Sequence, residues 1–344
     1  MAPPAVPPSD PAGTLRVPYL ELIERLTRAL RTLGFEPDNA ALCARLFAET
    51  TRDGVYSHGV RRFPRFAAMV RSGLVQPNAV PVRTAQCGAL ERWDGQIGPG
   101  NTNAWRSMDR AIALARDNGI GCVALANTNH WMRGGSYGWQ AAEAGVIGIC
   151  WTNTMPNLPP WGGATPALGN NPLVLAVPRQ QGAIVLDIAM SQFSYGALES
   201  YRDRGELLPV VGGFDAAGEL TRDPAAIETA QRPLPIGFWK GSGLAFILDL
   251  IGAALSGGQA TCEIAPDPLR ETSLTQVFIA IGGAGAFGRS PDDIANAAIQ
   301  FLQSSQPAAE GTRIRYPGEQ TLHIREENLA CGIPVDYSIW EQLA

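Results

Sequence analysis

Beyond Pro77 the sequence alternates short apolar runs, broken by glycine and asparagine, with amphipathic stretches such as residues 103–117, and this alternation restricts the chain to an α/β architecture. The runs at residues 121–126, 146–151, 173–177, 183–188 and 276–281 have the continuous apolar character of strands covered on both faces. Ahead of them the texture is helical. Leu20, Ile23, Leu26, Leu30 and Leu33 recur at three- and four-residue steps, which predicts an amphipathic helix over 17–33 that ends near Gly34. A second helix is predicted over 38–51, and a third from Ser57, whose hydroxyl is placed to cap it. Pro64 lies inside this third segment and, lacking a backbone donor, either kinks the helix or starts a new one. A further apolar helix is predicted over 243–255; it is too short to span a bilayer and carries Asp249.

A net charge of -5 with no lysine or arginine run argues against nucleic acid or an anionic membrane as partner, and favours small molecules. The six cysteines lack the short paired spacings of a zinc or redox site, so no metal is expected and the thiols read as reduced, in the cytoplasm. The opening MAPPAVPPSDPAG lacks the basic-then-apolar pattern of a secretory signal, and its prolines predict a disordered tail over residues 1–15. Between Glu143 and Arg179 there is no charged residue, yet the segment holds Asn153, Asn157, Asn170, Asn171, several prolines and two tryptophans. It reads either as a neutral wall that orients a ligand or as a long structural loop.

Three histidines make comparison simple. His58 stands in Tyr56-Ser57-His58-Gly59-Val60-Arg61-Arg62; if a helix runs on, Arg62 lies one turn further along the same face. That pair suits a 2-keto acid: a guanidinium to clamp the carboxylate and an imidazole to protonate the carbonyl oxygen. A solvated arginine beside a helix-start histidine is the competing explanation. His130 follows directly on the apolar run ending at Ala126, where α/β proteins place ligand contacts, although a structural histidine is equally compatible. His323 has no such setting. Trp239-Lys240-Gly241-Ser242-Gly243 leads into the apolar helix, where free N–H groups and Lys240 would suit a cofactor phosphate. Gly283-Ala284-Gly285-Ala286-Phe287-Gly288 matches a dinucleotide fingerprint, but the next helix is predicted to begin only at Ser290-Pro291 and no acidic residue closes a second strand at the usual distance, Glu310 lying in a Pro-Ala-Ala-Glu-Gly stretch. The match is read as accidental. Asp187, ending the run Ile184-Val185-Leu186-Asp187, is placed to bond a ribose hydroxyl or an active-site amide, or to cap the segment after it.

Taken together, Gly54-Val55-Tyr56-Ser57-His58-Gly59-Val60, Arg62-Phe63-Pro64-Arg65-Phe66, the long run from Asn129-His130-Trp131-Met132-Arg133-Gly134-Gly135-Ser136 to Ala142, Gly148-Ile149-Cys150-Trp151-Thr152-Asn153, Phe193-Ser194-Tyr195-Gly196 and Gly237-Phe238-Trp239-Lys240-Gly241-Ser242-Gly243 resemble the non-Rossmann malate/L-lactate dehydrogenase family. The resemblance covers about residues 17–343 and extends to a branch that reduces a diketo sugar acid. It implies an α/β, sulfolactate dehydrogenase-like fold with a mixed sheet and a helical N-terminal region, binding its cofactor without the glycine fingerprint. It also implies a homodimer, NADH or else NADPH as cofactor, and hydride delivery to the C2 carbonyl of a 2-keto acid. By position, His58 is the implied proton donor, Arg62 a carboxylate ligand and His130 a pocket residue. Thr154, Asp187, Ile188, Trp239, Lys240, Gly318, Glu319 and Gln320 fall where the family holds its dinucleotide. The implied division is a helical substrate and dimer region over 16–75, packing with 290–344, and an α/β cofactor-binding region over 76–289. Two rivals remain: a reductase of another 2-keto or 2-hydroxy acid (malate, lactate, ureidoglycolate) or of a cyclic imino acid, and a sugar-acid binding protein without catalysis.

Overall fold

The computed structural model describes residues 13–283, 288–309 and 311–343. Seven strands form one sheet, in the spatial order β2 (Val82–Cys87), β3 (Leu90–Asp94), β4 (Ile120–Thr128), β10 (Leu274–Ile281), β5 (Ile147–Thr152), β6 (Leu173–Val177) and β7 (Ile184–Ile188). β3 and β4 run parallel, and the other neighbours pair antiparallel. The sheet is therefore mixed, as the resemblance implies, and β10 returns late in the chain to fill its centre.

Helices α4 (Gly100–Asn118) and α5 (Gly135–Glu143) cover one face, and α8 (Trp239–Ser256) covers the other. Alternation along β4 serves both layers: Val123 and Leu125 join the core under α4 and α5, while Ala124 between them joins the core under α8. Between β7 and α8 a small annex holds α6 (Tyr195–Asp203), the two-residue strands β8 (Gly213–Phe214) and β9 (Leu220–Thr221), and α7 (Pro224–Ala230), with its own core of Phe193, Leu198, Leu208 and Ile227.

The N-terminal layer contains α1 (Tyr19–Thr32), α2 (Pro37–Arg52) and α3 (Phe63–Arg71). α1 buries Leu22, Leu26, Ala29 and Leu30, one face of a helix at three- and four-residue spacing. The third helix does not begin at Ser57. Two 3-10 turns, Tyr56–His58 and Val60–Arg62, come first, and Ser57 caps neither. Gly59 separates them because a Cβ there would lie 2.2 Å from Thr51 Oγ1, the hydroxyl that accepts the Val60 amide at 2.9 Å. Pro64 falls in the first turn of α3, where a missing N–H costs nothing, so it starts a new helix.

At the C-terminus, α10 (Glu319–Cys331), β11 (Ile333–Asp336) and α11 (Tyr337–Gln342) return to this layer. β11 pairs with β1 (Thr14–Val17), so residues 14 and 15 belong to a strand rather than to the predicted tail. The rest of that tail lies outside the described residues, as do Ala284 to Phe287 of the glycine motif and Glu310. α9 (Pro291–Gln303) is capped by Ser290 as predicted. It is tied to the α/β layer instead of the N-terminal helices: Arg179 donates to Asn296 Oδ1 at 2.7 Å and the Gln180 amide to Asp292 Oδ1 at 2.7 Å. No helix among the described residues is long and apolar enough to cross a membrane.

Candidate active site

The two 3-10 turns carry His58 and Arg62 toward the turn that follows β4, which carries His130. Thus Arg62 reaches the site by a break at Gly59, not by one continuous helical face. The two imidazoles stack with centroids 5.8 Å apart and planes at 26°. His58 Nδ1 lies 2.9 Å from Ser57 Oγ, and His130 Nδ1 accepts the Met132 amide at 3.0 Å. The His130 turn is rigidly backed: Gln276 donates to the Asn129 carbonyl at 3.1 Å, and Asn129 Nδ2 donates to the carbonyls of Ile97 and Gly98 at 3.0 and 2.9 Å.

The Arg62 side chain makes no hydrogen bond among the described residues, its backbone amide donating to Gly59 at 2.9 Å; the guanidinium's nearest counter-ion is Glu271, at 3.7 Å. Arg65 approaches the same carboxylate at 3.5 Å and bonds the Pro268 carbonyl. Glu271 Oε1 in turn accepts the Met155 amide at 3.3 Å. Both histidines are half-buried, with protein crowding their rings. Burial, then the charges of Arg62, Arg65 and Arg133, pushes the His58 imidazole down to about 3. Burial first, and then Arg62, His58 and Arg65, also holds His130 well below the ordinary histidine range. Arg62 is itself lowered to about 10 by burial and by Arg65, with Glu271 opposing. The site is a cluster of guanidiniums around two imidazoles that burial keeps neutral.

Of the residues implied to hold the dinucleotide, Asp187 and Ile188 lie on β7 and Gly318 packs against it, with Glu319 and Gln320 following. Asp187 Oδ2 accepts the Gly135 amide at 2.7 Å, capping the start of α5. Burial raises its carboxyl, against Arg133 and that amide. Ile188 is half-buried in the core under α8. Gly318, with φ at +93°, opens α10 against the outer edge of β7, where the Val185 amide donates to Pro317 at 3.1 Å. A side chain there would meet the Val185 amide at 3.1 Å. Glu319 bonds Arg313 through Oε1 at 2.7 Å, whereas its Oε2, like Trp139 Nε1, is buried without a partner. Gln320 follows, half-buried. On the far side, the Ile236 amide donates to Met190 at 2.9 Å, fixing Trp239 and Lys240 just beyond β7. These groups fit a dinucleotide: unpaired buried polar atoms beside a glycine, and carboxylates positioned as acceptors for hydroxyls.

One expectation needs correction, and one open reading is narrowed. α8 begins at Trp239, ahead of residue 243, and the amides of Lys240, Gly241 and Ser242 donate to the carbonyls of Gly237, Ile236 and Phe238 at 3.2, 2.8 and 3.3 Å. Few free N–H groups remain there, so only the exposed Lys240 ammonium offers positive charge to a phosphate. Much of the charge-free segment is also structural: Asn153 donates to Asp249 at 3.0 Å, Asn171 to the Ala245 carbonyl at 2.9 Å, and the Thr154 amide to Asn171 Oδ1 at 3.0 Å. Thr154 thus anchors the wall beside Glu271 with its own polar atoms engaged. Sequence reasoning missed the roles of Arg65, Arg133 and Glu271. The two arginines stand inside the quoted motifs; Glu271 lies in a loop with no periodic signal.

A family model described as malate/L-lactate dehydrogenase matches residues 17–344. The chain is 46% identical over 330 residues to the 2,3-diketo-L-gulonate reductase of Citrobacter koseri, an alignment covering 96% of this chain and 99% of that one. Among solved structures it is similar to the sulfolactate dehydrogenase of Methanocaldococcus jannaschii (26% identity, TM-score 0.85, 96% and 95% of the two chains). It is also similar to the delta1-piperideine-2-carboxylate reductase of Pseudomonas syringae (29% identity, TM-score 0.83, 96% and 98%). The match spans the sheet, both histidines and the segments on β7, and the chain belongs to the malate/L-lactate dehydrogenase family of oxidoreductases.

Proposed function

We propose that this protein is a keto-acid reductase that converts 2,3-diketo-L-gulonate to 3-dehydro-L-gulonate with NADH, working as a cytoplasmic homodimer. The observation that carries this reading is the juxtaposition of two stacked imidazoles with an arginine whose side chain makes no hydrogen bond among the described residues. A bound nicotinamide supplies the hydride for the C2 carbonyl. Arg62 takes the substrate carboxylate, with Arg65 adding charge, and this sets the keto group against the histidines. His58 gives the carbonyl oxygen its proton. In the free protein burial and three guanidiniums keep that ring neutral; the arriving carboxylate cancels part of their field, so the ring gains its proton as the substrate binds.

Along β7, Asp187 and Glu319 are acceptors suited to ribose hydroxyls, and a 2′-phosphate would meet like charge there, which supports NADH over NADPH. Lys240 is available for the diphosphate. The homodimer is supported by α8, whose outer side exposes Leu244, Phe246, Ile247, Leu250 and Ile251, apolar side chains that a partner would cover. A cytoplasmic setting accords with cysteines that are all free among the described residues. The test is consumption of NADH or NADPH by the purified protein with 2,3-diketo-L-gulonate, simple 2-keto acids and a cyclic imino acid. The highest kcat/KM is expected with the diketo acid and NADH. No turnover with any of them would reduce the protein to a binder, and a preference for the imino acid would move the substrate.

A further inference from the structure

The two stacked histidines differ at the nitrogen that faces the protein. At His130, Nδ1 accepts a backbone N–H, that of Met132, at 3.0 Å. A peptide N–H cannot reverse its direction, so Nδ1 must present its lone pair and the single ring proton sits on Nε2. Met132 adopts φ of +64° to aim that amide, a conformation unfavourable for a side chain with a Cβ. The turn is held there by Tyr137, which donates to the Trp131 carbonyl at 2.5 Å, and by Arg133, which donates to Asp53 at 2.6 Å. At His58, by contrast, Nδ1 faces the Ser57 hydroxyl at 2.9 Å, a rotor that donates to a bare nitrogen or accepts from a protonated one. Neither Nε2 has a partner among the described residues.

We infer that His130 is a fixed hydrogen-bond donor, presenting Nε2–H to the reacting oxygen and taking no part in proton transfer, which falls to His58 alone. This rests on the keto-acid reading. In the step, hydride adds to C2, the C=O π pair moves to oxygen, and that oxygen takes the proton of His58; the N–H of His130 is intact before and after. The charged groups around the pair favour this division. Arg62 and Arg65 from the turn and α3, Arg133 from the His130 turn and the His58 ring itself face His130, while Glu271 answers only Arg62 and Arg65. A proton on Nδ1 of His130 would oppose the Met132 N–H among like charges.

The first test is the ring 15N spectrum of the wild-type protein across neutral pH, with His130 assigned by its loss in His130→Gln. The Nε2–H neutral tautomer is expected throughout; an Nδ1–H tautomer or a titrating imidazolium would overturn the inference. The second is the pH dependence of kcat/KM. His130→Ala should lose about 10²–10³ in turnover, the cost of one donor to a developing oxyanion, with the wild-type inflexion kept. His130→Gln, which retains an N–H, should lose less. An inflexion that disappears in either variant would make His130 the proton carrier. A wild-type protein inert toward every 2-keto acid would instead sink the keto-acid reading, while the spectrum still decides the form of the ring.

Discussion

Two clusters of charge meet near the end of α2, and they are built to opposite designs. Around Asp53 each carboxylate oxygen is taken: Arg325 donates to both at 2.8 and 2.7 Å, Arg133 to one at 2.6 Å and Arg52 to the other at 2.8 Å. Around Glu271, Arg65 donates to Oε2 at 3.5 Å and the Met155 amide to Oε1 at 3.3 Å, while Arg62 stands back at 3.7 Å. The first cluster is closed and ties α2, the His130 turn and α10 together. The second is open at Arg62, whose guanidinium can exchange a distant internal counter-ion for a substrate carboxylate. Saturated geometry marks charge used to hold the fold, and unsaturated geometry beside titratable rings marks charge kept for a ligand.

The sharpest way to break this contrast is to remove Asp53. Asp53→Asn strands buried guanidiniums and should cost about 3–5 kcal/mol in denaturant unfolding, the scale of a broken buried ion pair. A loss below about 1 kcal/mol would mean that the closed cluster does not hold the layers together. Arg62→Ala comes next: a lost charge-assisted bond of about 2–3 kcal/mol should raise the substrate KM roughly 30- to 100-fold, with cofactor affinity and the unfolding midpoint nearly unchanged. If cofactor affinity moves instead, the open cluster serves the dinucleotide.

A third test separates the clusters by pH. The folded His58 ring lies near 3 against an ordinary 6.5, so the unfolded chain takes up its proton first; stability is full above 6.5 and declines as pH falls toward 3. For Asp53, burial pushes the carboxyl up, but Arg133, Arg325 and Arg52 outweigh it and hold it far below its ordinary 3.8, so its contribution persists until pH drops under that value. His58→Gln should therefore lose less stability than the wild type between pH 6.5 and 4. Parallel curves would show that the ring is not held neutral in the fold.

The same two regions show what was legible in the sequence. The buried strands stand out because each is a continuous apolar run. The β2–β3 hairpin does not, since β2 is exposed along its whole length and carries no pattern. The start of α8 is hidden by Gly241 and Gly243, which read as a turn, whereas the positive φ angles of Gly237 and Phe238 set the true boundary. His58, Arg62 and His130 were recognisable by residue type and setting, but the route that unites them depends on the close approach of Gly59 to Thr51, which leaves no room for a side chain and which no local pattern records. Glu271 and the Asp53 knot join residues far apart in the chain, and only the tertiary structure brings their charges together.

The most direct measurement is the kcat/KM of His58→Gln with 2,3-diketo-L-gulonate and NADH, alongside its Kd for NADH. A fall of about 10²–10⁴ with unchanged cofactor affinity is the predicted result. Turnover equal to the wild type would contradict the assignment of His58 as the group that protonates the ketone.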